Sequence, residues 1–414
     1  MLKSPAMHTP PLFGRSLLPL WMLDPAATYL NHGTVGATPR AVLAAQAALR
    51  DEIERHPARL LLREITPIGV QGQPGGAGPD GRPRQRLRAA AAAVAPWLGV
   101  TGDDLVFVAN ATTGANAVLS SFPLAAGDEV LVSNRTYGGV ARAAAHHAAR
   151  AGATLRTAVL PFPGADAGAL VAAVEAALTP RTRLAVLDHL SPETALLMPL
   201  AEMAAVCRAR GVAVLADGAH APGAVPVDIP SLGVDFYTAN LHKWAFAPRS
   251  SAVLWATPAR RDDLHPTVIS WGSGLGWHAE FDWVGTSDPT PYLCAPAGLA
   301  FIDEALGGRE ALWSHNHALA WRSAERLCGH WNLPWSTPRA MVGSMVSVPL
   351  PPALGHGAEA ATALKDWLLF EHSIEAQVLA IDEALWLRIS AQAYNDDEDI
   401  ERVASVIDSR LRGG

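Results

Sequence analysis

Between residues 105 and 256 the chain repeats one pattern, a short aliphatic run followed by a longer alanine-rich stretch. Strands are expected at 105–109, 129–133, 155–160, 184–188, 212–216 and 251–255, with helices at 114–121, 138–151, 165–178 and 199–210. A strand that is apolar throughout must be covered on both faces, so this alternation predicts an α/β fold with a largely parallel sheet between two helical layers. Ligands of such sheets gather at the carboxyl ends of the strands. Beyond residue 295 the pattern changes, to helices expected at 297–305, 312–328 and 358–371 and strands at 345–349, 375–379 and 386–390.

A chain of 414 residues is too long for one ordinary core. Three units are expected: an N-terminal segment, 1–30, packing with the smaller unit; a large ligand-binding unit, 31–294; and a small α+β unit, 295–414. The glycine- and proline-rich stretch 72–83 reads as a mobile surface loop rather than a linker.

Half the residues are hydrophobic and 17% are charged, which argues against disorder. A net charge of −7 leaves no basic face for nucleic acid. The apolar run 16–23 is short, interrupted by Pro19 and followed by Asp24-Pro25, unlike a cleaved leader. No other stretch approaches the length of a membrane span. Three scattered cysteines, Cys207, Cys294 and Cys328, suggest neither a disulfide framework nor a metal site, so a cytoplasmic setting is expected.

Asp217 closes one expected strand, and Lys243 stands just past the next. That pairing suits pyridoxal 5'-phosphate. A lysine amine forms a Schiff base with the cofactor's aldehyde, and a carboxylate keeps the pyridine nitrogen protonated so that the ring accepts electrons. Thr112 and Thr113 follow a strand and open a helix, where backbone N–H groups and hydroxyls bind phosphate; the alternative is that one of them only caps the helix. Asn240 and His242 flank the lysine and can donate to the same phosphate. Tyr137, after another strand end, either stacks on the pyridine or covers the sheet edge. His220 either donates to the cofactor's phenolic oxygen or is an incidental turn residue. Arg388 is a charge inside an apolar strand, costly to bury unless a carboxylate meets it. The carboxylate belongs either to an amino-acid substrate, which the guanidinium grips bidentately, or to an internal acid.

Two other patterns carry less. The glycines at 272–276 lack a following amphipathic helix and a phosphate lysine, so a turn is expected there. His146 and His147 are helix neighbours that do not share a face.

On Asp217-Gly218-Ala219-His220-Ala221-Pro222-Gly223 and His242-Lys243-Trp244, with a weaker motif at Trp283-Val284-Gly285-Thr286-Ser287-Asp288, the chain resembles the class V aminotransferase family of fold type I pyridoxal phosphate enzymes, in its isopenicillin N epimerase-like branch. The resemblance runs from Tyr29-Leu30-Asn31-His32-Gly33 to the stretch beginning at Arg388. It implies a seven-stranded sheet in the large unit and a homodimer in which Gly285 and Thr286 reach the phosphate of the neighbouring subunit. It further implies Lys243 as the Schiff-base lysine, Asp217, His220 and Tyr137 on the ring, Thr112, Thr113, Asn240 and His242 on the phosphate, and Arg388 with Asn31 at the substrate carboxylate. Cysteine desulfurases of this family carry a cysteine shortly before the final arginine strand, and 374–387 contains none. The expected activity is proton chemistry at the α-carbon of an amino acid or peptide-like amine, epimerase-like, with a C–S lyase or an aminotransferase as alternatives, and a non-catalytic cofactor-binding protein as the alternative outside enzymes.

Overall fold

The computed structural model describes residues 13–66 and 85–413, so the glycine-rich stretch 72–83 lies outside the described residues. The N-terminal segment supplies a short strand, β1 (Thr28–Tyr29), and a helix, α1 (Arg40–Arg55). Seven strands follow: β2 (Leu105–Val108), β3 (Glu129–Ser133), β4 (Thr154–Ala158), β5 (Thr182–Asp188), β6 (Ala213–Asp217), β7 (Phe236–Asn240) and β8 (Ala252–Ala256). They form one sheet in the order β2-β8-β7-β6-β5-β3-β4. Only β8 runs against the rest.

Helices α2 (Ala111–Ser121), α3 (Gly138–Arg150), α4 (Ala167–Ala177) and α5 (Leu200–Ala209) make the crossovers. Two apolar cores lie on opposite faces of the sheet: Val214 and Ala216 of β6 join one, Ala213 and Leu215 the other. That alternation is why β6 is apolar up to the residue where it leaves the sheet, Asp217.

Helix α2 starts at Ala111 rather than at 114. The cap is Asn110, whose Oδ1 accepts the Thr113 N–H at 2.8 Å, so neither threonine caps the helix. The glycines at 272–276 do form turns, with Gly274 and Gly276 at positive φ, but a short helix, Trp277–Asp282, follows them.

The remainder comprises helix α6 (Ala295–Ala305), helix α7 (Arg309–Trp331), strand β9 (Met345–Pro349), helix α8 (Gly357–His372), strands β10 (Ile374–Glu375), β11 (Gln377–Ile381) and β12 (Ala384–Ser390), and helix α9 (Asp397–Gly413). The strand expected at 375–379 is thus split into β10 and β11. β11, β12 and β9 form an antiparallel sheet packed against α7 and α8. β1 pairs in parallel with β10, and the Ser390 N–H donates to the Leu30 carbonyl, which ties the N-terminal segment to this second unit. Helix α6 crosses close to the Lys243 loop: a Cβ at Gly298 would stand 2.4 Å from the Ala245 carbonyl oxygen. Among the described residues no helix is long and apolar enough to cross a membrane.

Candidate active site

Asp217 ends β6 and is 3% exposed. Its register partner on β5 is a second buried carboxyl, Asp188. Two carboxylates at one level of adjacent buried strands cannot both ionise without a large penalty. Burial, and then the charge of Asp217, push Asp188 well above the usual carboxylate range. Burial also raises Asp217, but the Ala219 N–H, donated to its Oδ1 at 3.0 Å, and the charge of Lys243 oppose this. Asp188 is therefore the more strongly raised of the two, and Asp217, with the Ala219 N–H and Lys243 beside it, is the one that favours the charge.

Lys243 lies three residues beyond the end of β7, and its Nζ stands 3.0 Å from His220 Nε2. Burial first, then the Arg388 charge, lower the amine to about 7, with Asp217 pulling the other way. Burial, then Lys243, drive His220 well below its ordinary value, so its ring is neutral. With the amine donating to Nε2, the ring proton sits on Nδ1. That atom is buried and lacks a hydrogen-bond partner among the described residues.

At the start of α2, Asn240 Oδ1 accepts the Ala111 N–H at 2.8 Å, and the Thr113 hydroxyl donates to Asn110 Oδ1 at 3.1 Å. The amide NH2 of Asn240 and the Thr112 N–H are left without protein partners among the described residues. His242 Nδ1 donates to the Ser251 carbonyl at 2.9 Å, which leaves its Nε2 free. Burial lowers His242 to about 4.

Arg388 sits in β12 between Gln377 of β11 and Ser347 of β9, and is 4% exposed. It donates to the Pro192 carbonyl, to Thr34 Oγ1 at 2.7 Å and to Asn31 Oδ1 at 3.2 Å. All three acceptors are neutral. No carboxylate forms an ion pair with it among the described residues, and burial lowers even this guanidinium to about 10. The charge of Glu193, on the same cavity wall, opposes this only through space and not as an ion pair, so the guanidinium is free to pair directly with a further carboxylate.

One cavity of about 700 Å³ is lined by Asp217, His220 and Lys243, by Thr112, Thr113, Asn240 and His242, and by Tyr137 and Arg388. Tyr137 is half-exposed at the start of α3. Asn31 stands behind Arg388 rather than on the cavity wall. Gly285 and Thr286 do not line it: Gly285 borders a smaller apolar cavity of about 330 Å³ that shares Thr113, and Thr286 is exposed.

Several cavity residues escape sequence reasoning. Asp188 looks like the end of an ordinary strand until β5 and β6 are put in register. Asn110, rather than either threonine, caps the helix, and an asparagine between strand and helix is the signal that could have found it. Thr34, Pro192 and Glu193 reach the cavity from distant segments that carry no local motif.

Residues 79–403 match the family described as Aminotransferase class-V. The chain belongs to the class V aminotransferase family. Membership makes it a pyridoxal phosphate-dependent enzyme, on the fold expected from the motifs. The chain is 34% identical to "Putative L-cysteine desulfhydrase 1" of Oryza sativa subsp. japonica, an alignment covering 93% of this chain and 83% of that protein. It is 32% identical to "Isopenicillin N epimerase" of Streptomyces clavuligerus, covering 94% of this chain and 96% of that one. Among solved structures, the cystine C–S lyase C-DES, in complex with its reaction product cysteine persulfide, superposes with a TM-score of 0.71 at 25% identity, covering 92% of this chain and 97% of that one.

Proposed function

We propose that this class V enzyme removes the Cα proton of a substrate bearing an α-amino group and a carboxylate, in the manner of isopenicillin N epimerase, with Lys243 as the base. The observation that carries the reading is one cavity holding a buried amine at about 7 together with a buried arginine whose direct hydrogen bonds, among the described residues, go only to neutral groups. The amine is largely neutral just above pH 7, where it can accept a proton. The arginine is positioned to take the substrate's carboxylate and so to orient Cα.

The chain's own groups fit the cofactor. The unpartnered Nδ1–H of His220 suits a phenolic oxygen, and the charged carboxylate of Asp217 suits a protonated ring nitrogen. The Thr112 N–H at the start of α2 and the Asn240 amide suit a phosphate, whereas His242, whose Nδ1–H is spent on the Ser251 carbonyl, donates from Nε2 only as the protonated ring that a bound anion favours. Tyr137 covers the ring. When bound, pyridoxal phosphate supplies an aldehyde for amines and a ring that accepts electrons. Asp217 would hold the ring nitrogen's proton, Arg388 with Asn31 and Thr34 behind it would hold the carboxylate, and Lys243 Nζ would take the Cα proton; inversion then requires a proton delivered from the face opposite Lys243.

A homodimer follows from the same reading. Val268, Ile269, Trp271 and Leu275 are exposed on one segment, and Val268 lines the same smaller cavity as Gly285, an apolar face that a second copy would cover. The pair would then serve the phosphate of the neighbouring subunit. The three cysteines are free and buried, which supports a cytoplasmic setting.

The identity to the plant desulfhydrase favours a second reading, in which proton removal is followed by loss of a sulfur group from Cβ. Incubation in deuterated water separates the two. Deuterium at Cα with inverted configuration marks the epimerase, and pyruvate with sulfide from L-cysteine marks the lyase. A keto acid formed with amine transfer marks an aminotransferase. Failure of any amino acid to change the bound cofactor's visible absorbance would sink the enzymatic reading.

A further inference from the structure

The residues around 31–36 touch both halves of the site. Asn31 and Thr34 bond to Arg388, as described above. His32, between them, is fully buried and turns the other way: its Nε2 stands 2.9 Å from the backbone carbonyl of Lys243, and its Nδ1 stands 2.8 Å from the hydroxyl of Tyr394.

The protons in this chain of bonds can be assigned. A carbonyl oxygen only accepts, so His32 Nε2 must carry a hydrogen. Burial lowers His32 to about 3, so the ring is neutral and has one hydrogen only. Nδ1 therefore accepts, and Tyr394, kept protonated by burial, donates to it. The order is Tyr394 O–H to His32 Nδ1, then His32 Nε2–H to the Lys243 carbonyl. Packing reinforces the link. The His32 ring lies 5.1 Å from Trp244 and 5.4 Å from Phe246, centroid to centroid. Gly36, at φ +70°, comes so close to the lysine loop that a Cβ there would stand 2.0 Å from the His242 carbonyl oxygen.

Tyr394 and Arg388 belong to one stretch that leaves β12, whereas Lys243 belongs to the large sheet. The short helical turn His32–Val35 is thus bonded on one side to the arginine and its downstream tyrosine, and on the other to the backbone of the lysine. We infer that His32 is a positioning residue: its Nε2–H fixes the peptide from which Lys243 projects, at a set distance from the arginine that holds the substrate carboxylate. This rests on the reading of Lys243 as the base. The lysine side chain must move between cofactor and Cα, and it does so accurately only if its own backbone stays still. A misplacement of about 1 Å at a reacting group can cost on the order of a hundredfold in rate.

Two variants of the holoenzyme separate positioning from packing. His32→Phe keeps an aromatic ring among Trp244 and Phe246 but has no nitrogen. His32→Gln loses the ring but carries an amide N–H at about the reach of Nε2. Two quantities are read: turnover of L-cysteine, as Cα deuterium wash-in or pyruvate release, and the rate at which cofactor-free protein forms a borohydride-reducible link with added pyridoxal phosphate. Positioning predicts that His32→Phe lowers kcat and the linking rate by about ten-fold or more, with KM changed by less than about two-fold, and that His32→Gln restores both rates to within about three-fold of the parent. Phe equal to the parent, or Gln as impaired as Phe, overturns the inference. Should His32→Phe not fold, Tyr394→Phe carries the test, since it frees the outer end of the same ring: a fall in the linking rate supports the relay and an unchanged rate overturns it. Mapping the reduced link in the parent protein keeps the two claims apart. A link away from residue 243 removes the base itself, whereas a link on Lys243 that forms equally fast in both His32 variants removes only the role of His32.

Discussion

The Nζ of Lys243 and the Nε2 of His220 lie 3.0 Å apart in a buried corner where neither ring nitrogen of His220 meets any other protein group among the described residues. The amine is thereby held beside a neutral imidazole rather than a carboxylate. Its burial and the Arg388 charge are then free to lower it to about 7.

That lowering has a measurable sign. The folded value of about 7 lies below the ordinary 10.5. The unfolded chain therefore binds this proton more tightly, and the stability contributed through Lys243 is present above about pH 10.5 and lost as pH falls toward 7. Lys243→Met should raise the thermal midpoint of the cofactor-free protein near about pH 6, with the gain shrinking toward about pH 10. A gain that does not depend on pH would show that the amine is not depressed.

Asp217 and Asp188 should respond differently to the same isosteric change. Asp217→Asn removes the charge, and loss of a charge-assisted bond of about 1.5–3 kcal/mol corresponds to a fall in kcat of about ten- to a hundred-fold. Asp188→Asn replaces a group that is already neutral, so kcat should stay within about three-fold. Reversal of that order would move the charge to Asp188.

Arg388→Gln should raise KM for a carboxylate substrate by about ten- to a hundred-fold while cofactor content stays at the parent level. Thr34→Ala should do so by less, because it only supports the guanidinium. An unchanged KM in the arginine variant would make Arg388 structural.

Trp271→Glu places a charge on the most exposed large hydrophobic of the 268–275 segment, which is 82% exposed in the single chain. Sedimentation should show a shift from dimer to monomer, accompanied by weaker retention of cofactor. A parent protein that sediments as a monomer would end the shared-site reading.

The sheet, its crossovers and the pair Asp217 and Lys243 were legible because each is written in consecutive residues: apolar runs, alanine-rich spacers, and an acid or a lysine at a strand end. His220, Asn240 and His242 were legible for the same reason, as neighbours of that pair. That Arg388 bonds directly only to neutral groups was not, since an internal carboxylate was the alternative until Thr34, Asn31 and Pro192 were seen around it. Asp188 became significant only through its register with Asp217, a relation between strands that no single segment contains. Thr113 reads as a phosphate donor in sequence, yet its hydroxyl proton is committed to Asn110. Gly285 and Thr286 stand clear of the cavity of their own chain, so the phosphate contact that the resemblance implies for them requires a second copy to supply it.

The full sequence has three lysines, Lys3, Lys243 and Lys365, so attachment of the cofactor can be assigned without ambiguity. Lys365 lies on α8, far in sequence from every cavity residue named above. Borohydride reduction of the protein with pyridoxal phosphate, followed by proteolysis and mass spectrometry, should place the pyridoxyl group on the peptide containing Lys243 and nowhere in the Lys243→Ala protein. A modified Lys3 or Lys365 with Lys243 untouched, or a reducible link that survives in Lys243→Ala, would contradict the account.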